Sequence, residues 1–396
     1  MSAFQISVSA SALSALKSRL ELTAFPDELD GTGWAYGSPL ADIKRLVARW
    51  RDGFDWRKAE QQLNEALPQF TRDIEVDDFG ALNIHYVHKK SEKEGQGLPL
   101  LFVHGWPGGF FEAQKIIPLL TKAHESSQLP TFDVVALSLP GYGFSEGPKK
   151  KGFSIKQYAE VAHKLMLALG YNEYVTQGGD WGVAITRQIA YTYGGKHSKA
   201  WHTNFLHTHL LLNSPPPTDE SSYTPADKEG LERFKKYQRF DSGYFKEQAT
   251  KPQTLGYSLA DSPVGLLAWI YEKLVGWTDN YPWTDDEVLT WVSIYWFSRA
   301  GPAASTRIYY EYTERMDDVP PPTIPLGSSL FPKELARIPK SWYSYVGNVV
   351  FEAEHSKGGH FAAFEQPEQL VADLQQMFGK GGPAYGVVPG RDGYEH

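Results

Sequence analysis

The chain has 396 residues, no cysteine, and 39 Lys and Arg against 47 Asp and Glu, which gives a formal net charge of −8. Without thiols it can carry neither disulfides, nor a cysteine nucleophile, nor a cysteine-ligated zinc or iron–sulfur site. The mildly acidic balance lacks the basic footprint that a phosphate backbone requires, so nucleic acid is not an expected partner. The 12 Trp, 22 Tyr and 21 Phe residues favour a pocket for a small apolar ligand.

The hydropathy pattern contains neither a membrane-spanning run nor a secretory signal. No stretch approaches roughly 18 consecutive apolar residues. The N-terminus lacks both a basic region and an unbroken apolar region. We therefore expect a soluble, cytoplasmic protein without a membrane anchor. The composition leaves the oligomeric state open, a homodimer included.

The first part of the chain is predicted to be helical. Apolar side chains recur at helical intervals across residues 40–63, which predicts a helical and looping extension over residues 1–70. The following runs, residues 71–76 and 82–88, enclose Asp77-Asp78-Phe79-Gly80, a turn sequence typical of a hairpin. A sheet therefore begins where the extension ends.

Strands then alternate with helices. Short apolar runs at residues 98–103 and 132–139 predict buried strands, and helical spacing marks residues 154–169. A further strand at residues 173–177 leads into a helix that starts at Trp181. This alternation predicts an α/β fold with a mostly parallel sheet and with ligands at the carboxyl ends of its strands.

The alternation is interrupted once. Residues 209–320 are helix-rich and aromatic, and a strand at residues 348–353 restores the α/β pattern. We therefore predict a core formed by residues 71–208 and 321–396, with residues 209–320 inserted as a helical lid. One apolar helical stripe of this lid either lines a pocket or packs in the lid core: Leu266, Leu267, Trp269 and Ile270.

A glycine-rich turn, Gly178-Gly179-Asp180-Trp181-Gly182, joins the predicted strand at residues 173–177 to its helix. It has the shape of the nucleophile elbow G-x-S-x-G, with Asp180 in place of the serine. The alternative is that Asp180 only caps the helix, since Asp is a preferred N-cap residue. An Asp nucleophile suits attack on an sp³ carbon, in a strained ether or a carbon–halogen bond, because it leaves an ester that water can open.

Two further turns carry candidate catalytic groups. The run His104-Gly-Trp-Pro-Gly-Gly109 follows a predicted strand, where α/β hydrolases place an oxyanion-hole loop, although an ordinary strand-ending turn is the alternative. His360 follows the last predicted strand in a Gly-Gly turn, and histidine can accept a proton at neutral pH. Such a base needs an orienting carboxylate. The nearby candidates are Glu334, Glu352 and Glu354.

Three motifs together resemble one family. His104-Gly-Trp-Pro107, Gly178-Gly-Asp-Trp181 and Gly358-Gly-His-Phe-Ala-Ala-Phe-Glu365 are similar to the microsomal-type epoxide hydrolases of the α/β-hydrolase superfamily. The resemblance covers nearly the whole chain, the N-terminal extension included. It departs from the mammalian members, which begin with a membrane anchor. The resemblance implies an α/β-hydrolase core and a hydrolase acting on the ether bond of epoxides, with no cofactor and no metal.

The resemblance also implies the role of individual residues in a two-step conversion of a small apolar epoxide and water into a vicinal diol. It selects Glu334 as the acid that orients His360. The remaining assignments are Asp180 as nucleophile, His360 as base, Tyr244 and Tyr309 as the phenols that polarise the epoxide, and the backbone N–H groups of Trp106 and Trp181 as the oxyanion hole. Tyr310, the neighbour of Tyr309, is the alternative second phenol.

Two other functions stay open as alternatives, and one possible metal site is not expected. A haloalkane or haloacid dehalogenase would share the Asp nucleophile, but it would need Trp or Asn N–H donors for the halide in place of lid phenols. A non-catalytic ligand-binding relative is the second alternative, because one fold serves many functions. His202, His207 and His209 form a histidine cluster, yet no neighbouring ligand pattern supports a metal there.

Overall fold

Nine strands form one sheet in the part of the chain that the structure describes. This computed structural model describes residues 2–123, 129–208, 211, 214–216, 219–315 and 319–395. In chain order the strands are β1 (Ser2–Phe4), β2 (Gln69–Val76), β3 (Gly80–Lys89), β4 (Leu98–Val103), β5 (Phe132–Leu137), β6 (Tyr174–Gly178), β7 (Ser198–Thr203), β8 (Pro325–Leu330) and β9 (Asn348–Glu354).

The sheet changes from antiparallel to parallel at β5. Its strand order is β1–β2–β3–β5–β4–β6–β7–β8–β9, with antiparallel pairing from β1 to β5 and parallel pairing from β5 to β9. Strands β4, β5 and β6 are buried along their whole length, as expected for parallel strands covered on both faces. The predicted α/β class with a mostly parallel sheet is confirmed.

Helices connect these strands. In the described residues they are Ala10–Glu21, Leu40–Asp52, Trp56–Ala66, Ile116–Thr121, Ile155–Ala168, Trp181–Tyr193, Pro225–Phe240, Gly243–Thr250, Pro252–Asp261, Pro263–Gly276, Asp285–Trp296, Arg307–Arg315, Tyr343–Val346, Ala362–Glu365 and Pro367–Phe378. None of them combines the length and the apolar character needed to cross a membrane.

Predicted elements of the core are confirmed with small shifts at their ends. The hairpin pairs β2 with β3 around a turn in which Asp78 and Gly80 have positive φ. The helix predicted over residues 154–169 begins after Ser154, whose capping box with Gln157 explains the start. The strand predicted to reach Leu139 ends at Leu137, because the Leu139 N–H donates to a histidine ring and leaves the sheet.

Three strands are absent from the sequence predictions. β1 has only three residues, too few to show an alternating pattern, and its place is set by pairing with β2. β7 contains Lys199 and His202, which interrupt the apolar run expected of a buried strand. β8 begins at Pro325, a residue that argues against a central strand, although β8 lies between β7 and β9.

The N-terminal helices pack against the helices inserted between β7 and β8. Charged pairs such as Arg19–Asp261, at 2.7 Å, and Arg49–Asp286, at 2.9 Å, join the two groups. Such exposed pairs contribute little stability. The apolar face of the helix Leu40–Asp52, which buries Leu46 and Trp50, contributes more to stability than these ion pairs do. The inserted helices from residue 225 to residue 315 fall within the predicted lid, whose exact boundaries stay a prediction.

Candidate active site

Asp180 lies in a strained bend between β6 and the helix Trp181–Tyr193. Its φ of 52° falls in the left-handed region that side chains other than glycine rarely adopt. A Cβ atom at Gly182 would clash with the carbonyl oxygen of Val103, so the turn requires glycine there. The Asp180 carboxylate makes no capping bond to its helix. Asp180 therefore occupies the N-cap position without capping the helix through its side chain.

Asp180, His360 and Glu334 form a continuous line of short contacts. The Nε2 atom of His360 lies 3.3 Å from Asp180 Oδ2, and its Nδ1 atom lies 2.6 Å from Glu334 Oε1. The backbone N–H of His360 donates to the Trp277 carbonyl oxygen at 2.8 Å, which holds the turn that carries the imidazole. The three residues expected to act as nucleophile, base and acid are thus adjacent.

The two other acid candidates face different partners. Glu352 pairs with Lys340 at 2.5 Å, and Glu354 pairs with Arg337 at 2.6 Å. Both glutamates lie on β9, whose end precedes the turn of His360. Among the three candidates, Glu334 alone contacts the imidazole.

Two carboxylates control the charge of His360. Burial disfavours the imidazolium, but Glu334 and Asp180 outweigh that effect and raise the pKa of His360 to about 10. Glu334 is itself buried and accepts a bond from the Leu335 backbone N–H at 2.7 Å. The two carboxylates therefore favour the imidazolium form of His360 in the resting site.

The loop after β4 brings a backbone N–H to Asp180. The Trp106 N–H donates to Asp180 Oδ1 at 2.8 Å, and Gly105 lies so close to that carboxylate that a Cβ atom there would clash with it. The His104 ring holds the loop, because its Nε2 accepts from Leu139 N–H at 3.1 Å. Trp181 begins a helix, so its N–H is among those without an intrahelical acceptor.

Tyr244 and Tyr309 face the same cavity as Asp180. They lie on the helices Gly243–Thr250 and Arg307–Arg315, and their ring centroids are 6.0 Å apart. Burial raises the pKa of both phenols well above its usual range, so both remain neutral donors. Tyr310 is 37% exposed and lies outside the walls of this cavity.

The cavity has a volume of about 470 Å³, which suits a small organic molecule. Its apolar walls include Phe205, Phe234, Phe245, Tyr312 and Leu335. The lid stripe of Leu266, Leu267, Trp269 and Ile270 does not line it. Leu266, Leu267 and Ile270 are instead buried in the core, so the pocket-wall interpretation of the stripe is wrong.

Glu112 is a buried carboxyl group near Asp180 that the sequence analysis missed. It lines a second, small cavity of about 20 Å³, together with Asp180 and His360. Its Oε1 accepts from the Gly109 N–H at 2.9 Å, and burial raises its pKa to about 8. In sequence Glu112 is an ordinary glutamate three residues after Gly109, and no spacing rule singles it out.

Tyr237 is the second residue that the sequence analysis missed. Its phenol oxygen lies 2.6 Å from that of Tyr244, and its side chain lines the same cavity of about 470 Å³ as Tyr244 and Tyr309. Burial raises the pKa of Tyr237, so it is neutral like its partner. Among 22 tyrosines, only the tertiary contact distinguishes it.

Of the histidine cluster considered above, the structure describes His202 and His207, and these two side chains contact different partners. His202 Nε2 lies 3.2 Å from Ser329 Oγ, and His207 Nδ1 lies 3.0 Å from the Phe205 carbonyl oxygen. His209 lies outside the described residues. Among the residues that the structure describes, no group of three or more His, Asp or Glu side chains is arranged to hold a metal ion.

The chain matches two family models and several known proteins over most of its length. Residues 1–113 match the model "Epoxide hydrolase N terminus", and residues 99–250 match the model "alpha/beta hydrolase fold". The chain is 36% identical to epoxide hydrolase 1 of Sus scrofa, over 95% of this chain and 88% of that protein.

Two solved structures show the same similarity. The Aspergillus niger epoxide hydrolase superposes with a TM-score of 0.83 at 34% identity, over 94% of each chain. The juvenile hormone epoxide hydrolase of Bombyx mori superposes with a TM-score of 0.83 at 29% identity, over 94% of this chain and 92% of that one.

Proposed function

The chain belongs to the epoxide hydrolases of the α/β-hydrolase fold, and we propose that it converts epoxides into vicinal diols through a covalent ester on Asp180. Membership in this family confirms the resemblance that the three sequence motifs predicted. The observation that carries the mechanism is the line of contacts from Asp180 through His360 to Glu334, with two neutral phenols in the same cavity.

In the proposed first step, Asp180 attacks a ring carbon while the phenols bind the epoxide oxygen. Trp106 N–H holds Oδ1 at 2.8 Å, and we assign Oδ2, which lies 3.3 Å from His360 Nε2, as the attacking atom. A ring C–O bond breaks, and its electron pair moves to the oxygen that Tyr244 and Tyr309 stabilise. The opened epoxide oxygen takes up one proton, and we assign His360 as its source. Esterification removes the charge of Asp180 and so lowers the pKa of His360, which lets the imidazolium release that proton.

In the second step, neutral His360 takes a proton from water as the water attacks the carboxyl carbon of Asp180. The Trp106 and Trp181 N–H groups stabilise the tetrahedral oxyanion. The intermediate then expels the alkoxide, which takes the hydroxyl proton of the intermediate and leaves as the diol. Asp180 is again a carboxylate and His360 an imidazolium, so the enzyme returns to its starting state.

The small cavity beside Asp180 is the proposed place of that water. A water molecule needs roughly 10–15 Å³ and two to four polar partners. The cavity has about 20 Å³ and offers His360, Asp180 and Glu112. This small cavity is separate from the cavity of about 470 Å³ that contains Tyr244 and Tyr309. The water can therefore approach the ester while the alkyl group still occupies the cavity with the two phenols.

We expect Glu112→Leu to slow ester hydrolysis by roughly 10- to 100-fold, the effect of one lost hydrogen-bond partner, with little change in ring opening. Glu112→Gln is the control. It keeps an acceptor for Gly109 N–H and resembles the protonated carboxyl, so near pH 7 it should behave like the wild type. Single-turnover kinetics of both steps provide the measurement. If the variant slowed both steps equally, Glu112 would only stabilise the loop, and its proposed role beside the water would be wrong.

A matched substrate pair tests the choice between epoxide and halide chemistry. The protein should form diol from an apolar terminal epoxide, and it should release no halide from the bromoalkane of the same carbon skeleton. The reason is that two phenols suit an oxygen that must be protonated, whereas a halide leaves as a free anion. Halide release with a kcat/KM similar to that for the epoxide would favour the dehalogenase alternative.

A further inference from the structure

Lys273 is a buried cation that the proposed mechanism does not use. It lies on the helix Pro263–Gly276, and its side chain is only 3% exposed. Its Nζ atom lies 4.4 Å from the ring centroid of Tyr244 and 5.6 Å from that of Trp277. Lysine is almost never fully buried without a specific partner. The position of this ammonium group therefore requires an explanation.

One carboxylate pairs with the ammonium group. Lys273 Nζ lies 2.8 and 2.7 Å from the two oxygens of Glu272, which is itself one-third exposed. Burial lowers the pKa of Lys273, while Glu272 and the more distant Asp241 oppose that change. The cation is thus held from the solvent side by Glu272 and directed towards the aromatic rings.

The Tyr244 ring is enclosed by aromatic surfaces. The Trp106 ring stacks on it, with centroids 5.2 Å apart and planes at 9°, and the Trp277 ring packs edge-on at 5.2 Å. Its phenol oxygen lies 2.6 Å from that of Tyr237. In such a water-poor environment, a cation over a ring interacts more strongly than at the surface.

We propose that Lys273 is a positioning residue for ring opening, whose ammonium strengthens the Tyr244 phenol as a hydrogen-bond donor to the epoxide oxygen. As that oxygen gains negative charge, the phenol proton shifts towards it and the Tyr244 ring becomes richer in electrons. The cation then attracts the ring more strongly than in the resting state. An interaction that grows towards the transition state increases the rate. This inference rests on the role proposed above for Tyr244.

The test is a double-mutant cycle of Lys273→Met and Tyr244→Phe, read as single-turnover rates of ester formation and ester hydrolysis. Met keeps most of the packing of the lysine stem but removes the charge. We expect Lys273→Met to slow ester formation by roughly 5- to 30-fold, with ester hydrolysis unchanged. In the Tyr244→Phe background, the same substitution should have no further effect, because the phenol that it acts on is absent.

Two further variants separate charge from packing. Lys273→Arg keeps the cation and should retain most of the rate, whereas Lys273→Gln is neutral, keeps a donor for Glu272 and should resemble Lys273→Met. An additive loss in the Tyr244→Phe background, or an unchanged rate in both neutral variants, would overturn the inference. If Tyr244→Phe itself leaves ester formation unchanged, the proposed role of Tyr244 fails first. Slowing by Tyr244→Phe without slowing by the neutral Lys273 variants rejects the role of Lys273 alone.

Discussion

His360→Gln is expected to stop the reaction halfway, with the substrate bound as an ester to Asp180. Glutamine cannot take a proton from water, so ester hydrolysis should lose the roughly 100- to 10,000-fold contribution of a general base. Ring opening needs no general base, and in this variant water can supply the proton that His360 gives to the opened epoxide oxygen, so ester formation should continue. Mass spectrometry of the intact protein and of the peptide that contains Asp180 should therefore detect the adduct, whereas Asp180→Ala should form none.

His355→Gln offers a matched control for this experiment. His355 also lies beyond β9 and also contacts a carboxylate, Asp373, at 2.6 Å, but it is outside the cavities that contain Asp180. We expect this variant to turn over without accumulating an ester. If His360→Gln turned over at the wild-type rate, or if both histidine variants accumulated the adduct equally, the assignment of His360 as the base would be wrong.

The same assignment predicts how ester hydrolysis depends on pH. In the resting site, Glu334 and Asp180 raise the pKa of His360 to about 10. Esterification removes the charge of Asp180, so the pKa in the intermediate is lower than that value. The base is active when neutral, and the hydrolysis rate should rise with pH and level off above the lowered pKa.

The double variant Tyr244→Phe/Tyr309→Phe should nearly abolish ring opening. Each phenol supplies one donor to the developing oxyanion, and the loss of one such donor costs roughly 10- to 1,000-fold in rate. The Trp181 ring lies 4.8 Å from that of Tyr309, so stopped-flow tryptophan fluorescence should report ester formation directly. Both single variants should be slowed, and the double variant should be slowed much further.

Tyr310→Phe is the control for the phenols. Tyr310 belongs to the same helix as Tyr309, but its side chain is exposed and does not line the cavity. We expect wild-type ester formation in this variant. A large loss in Tyr310→Phe, or an unchanged rate in the double variant, would contradict the assignment of Tyr244 and Tyr309.

The sequence was sufficient for features whose geometry demands particular residues. The bend at Asp180 requires glycines around it, and the hairpin turn at Asp78 requires residues that tolerate positive φ. Such local demands leave a pattern in the sequence, which is why the strand, the turn and the helix around Asp180 could be predicted together.

Features that depend on contacts between distant segments could not be read in this way. The choice of Glu334 among three glutamates relied on family resemblance, because its contact with His360 joins residues that are 26 positions apart. Glu112 and Tyr237 gain their significance from two cavities that no periodicity reveals. The stripe at Leu266 has the same apolar spacing whether it faces a cavity or a core, so its place depends on the neighbouring helices.

A single turnover in ¹⁸O-labelled water, with enzyme in excess over epoxide, tests the covalent mechanism most directly. If Asp180 attacks the ring, the first diol takes its new oxygen from the carboxylate. That diol should therefore be mostly unlabelled, and the label should appear in the peptide that contains Asp180. A fully labelled first-turnover diol with an unlabelled Asp180 peptide would mean that water attacks the epoxide directly, and it would contradict the ester on Asp180.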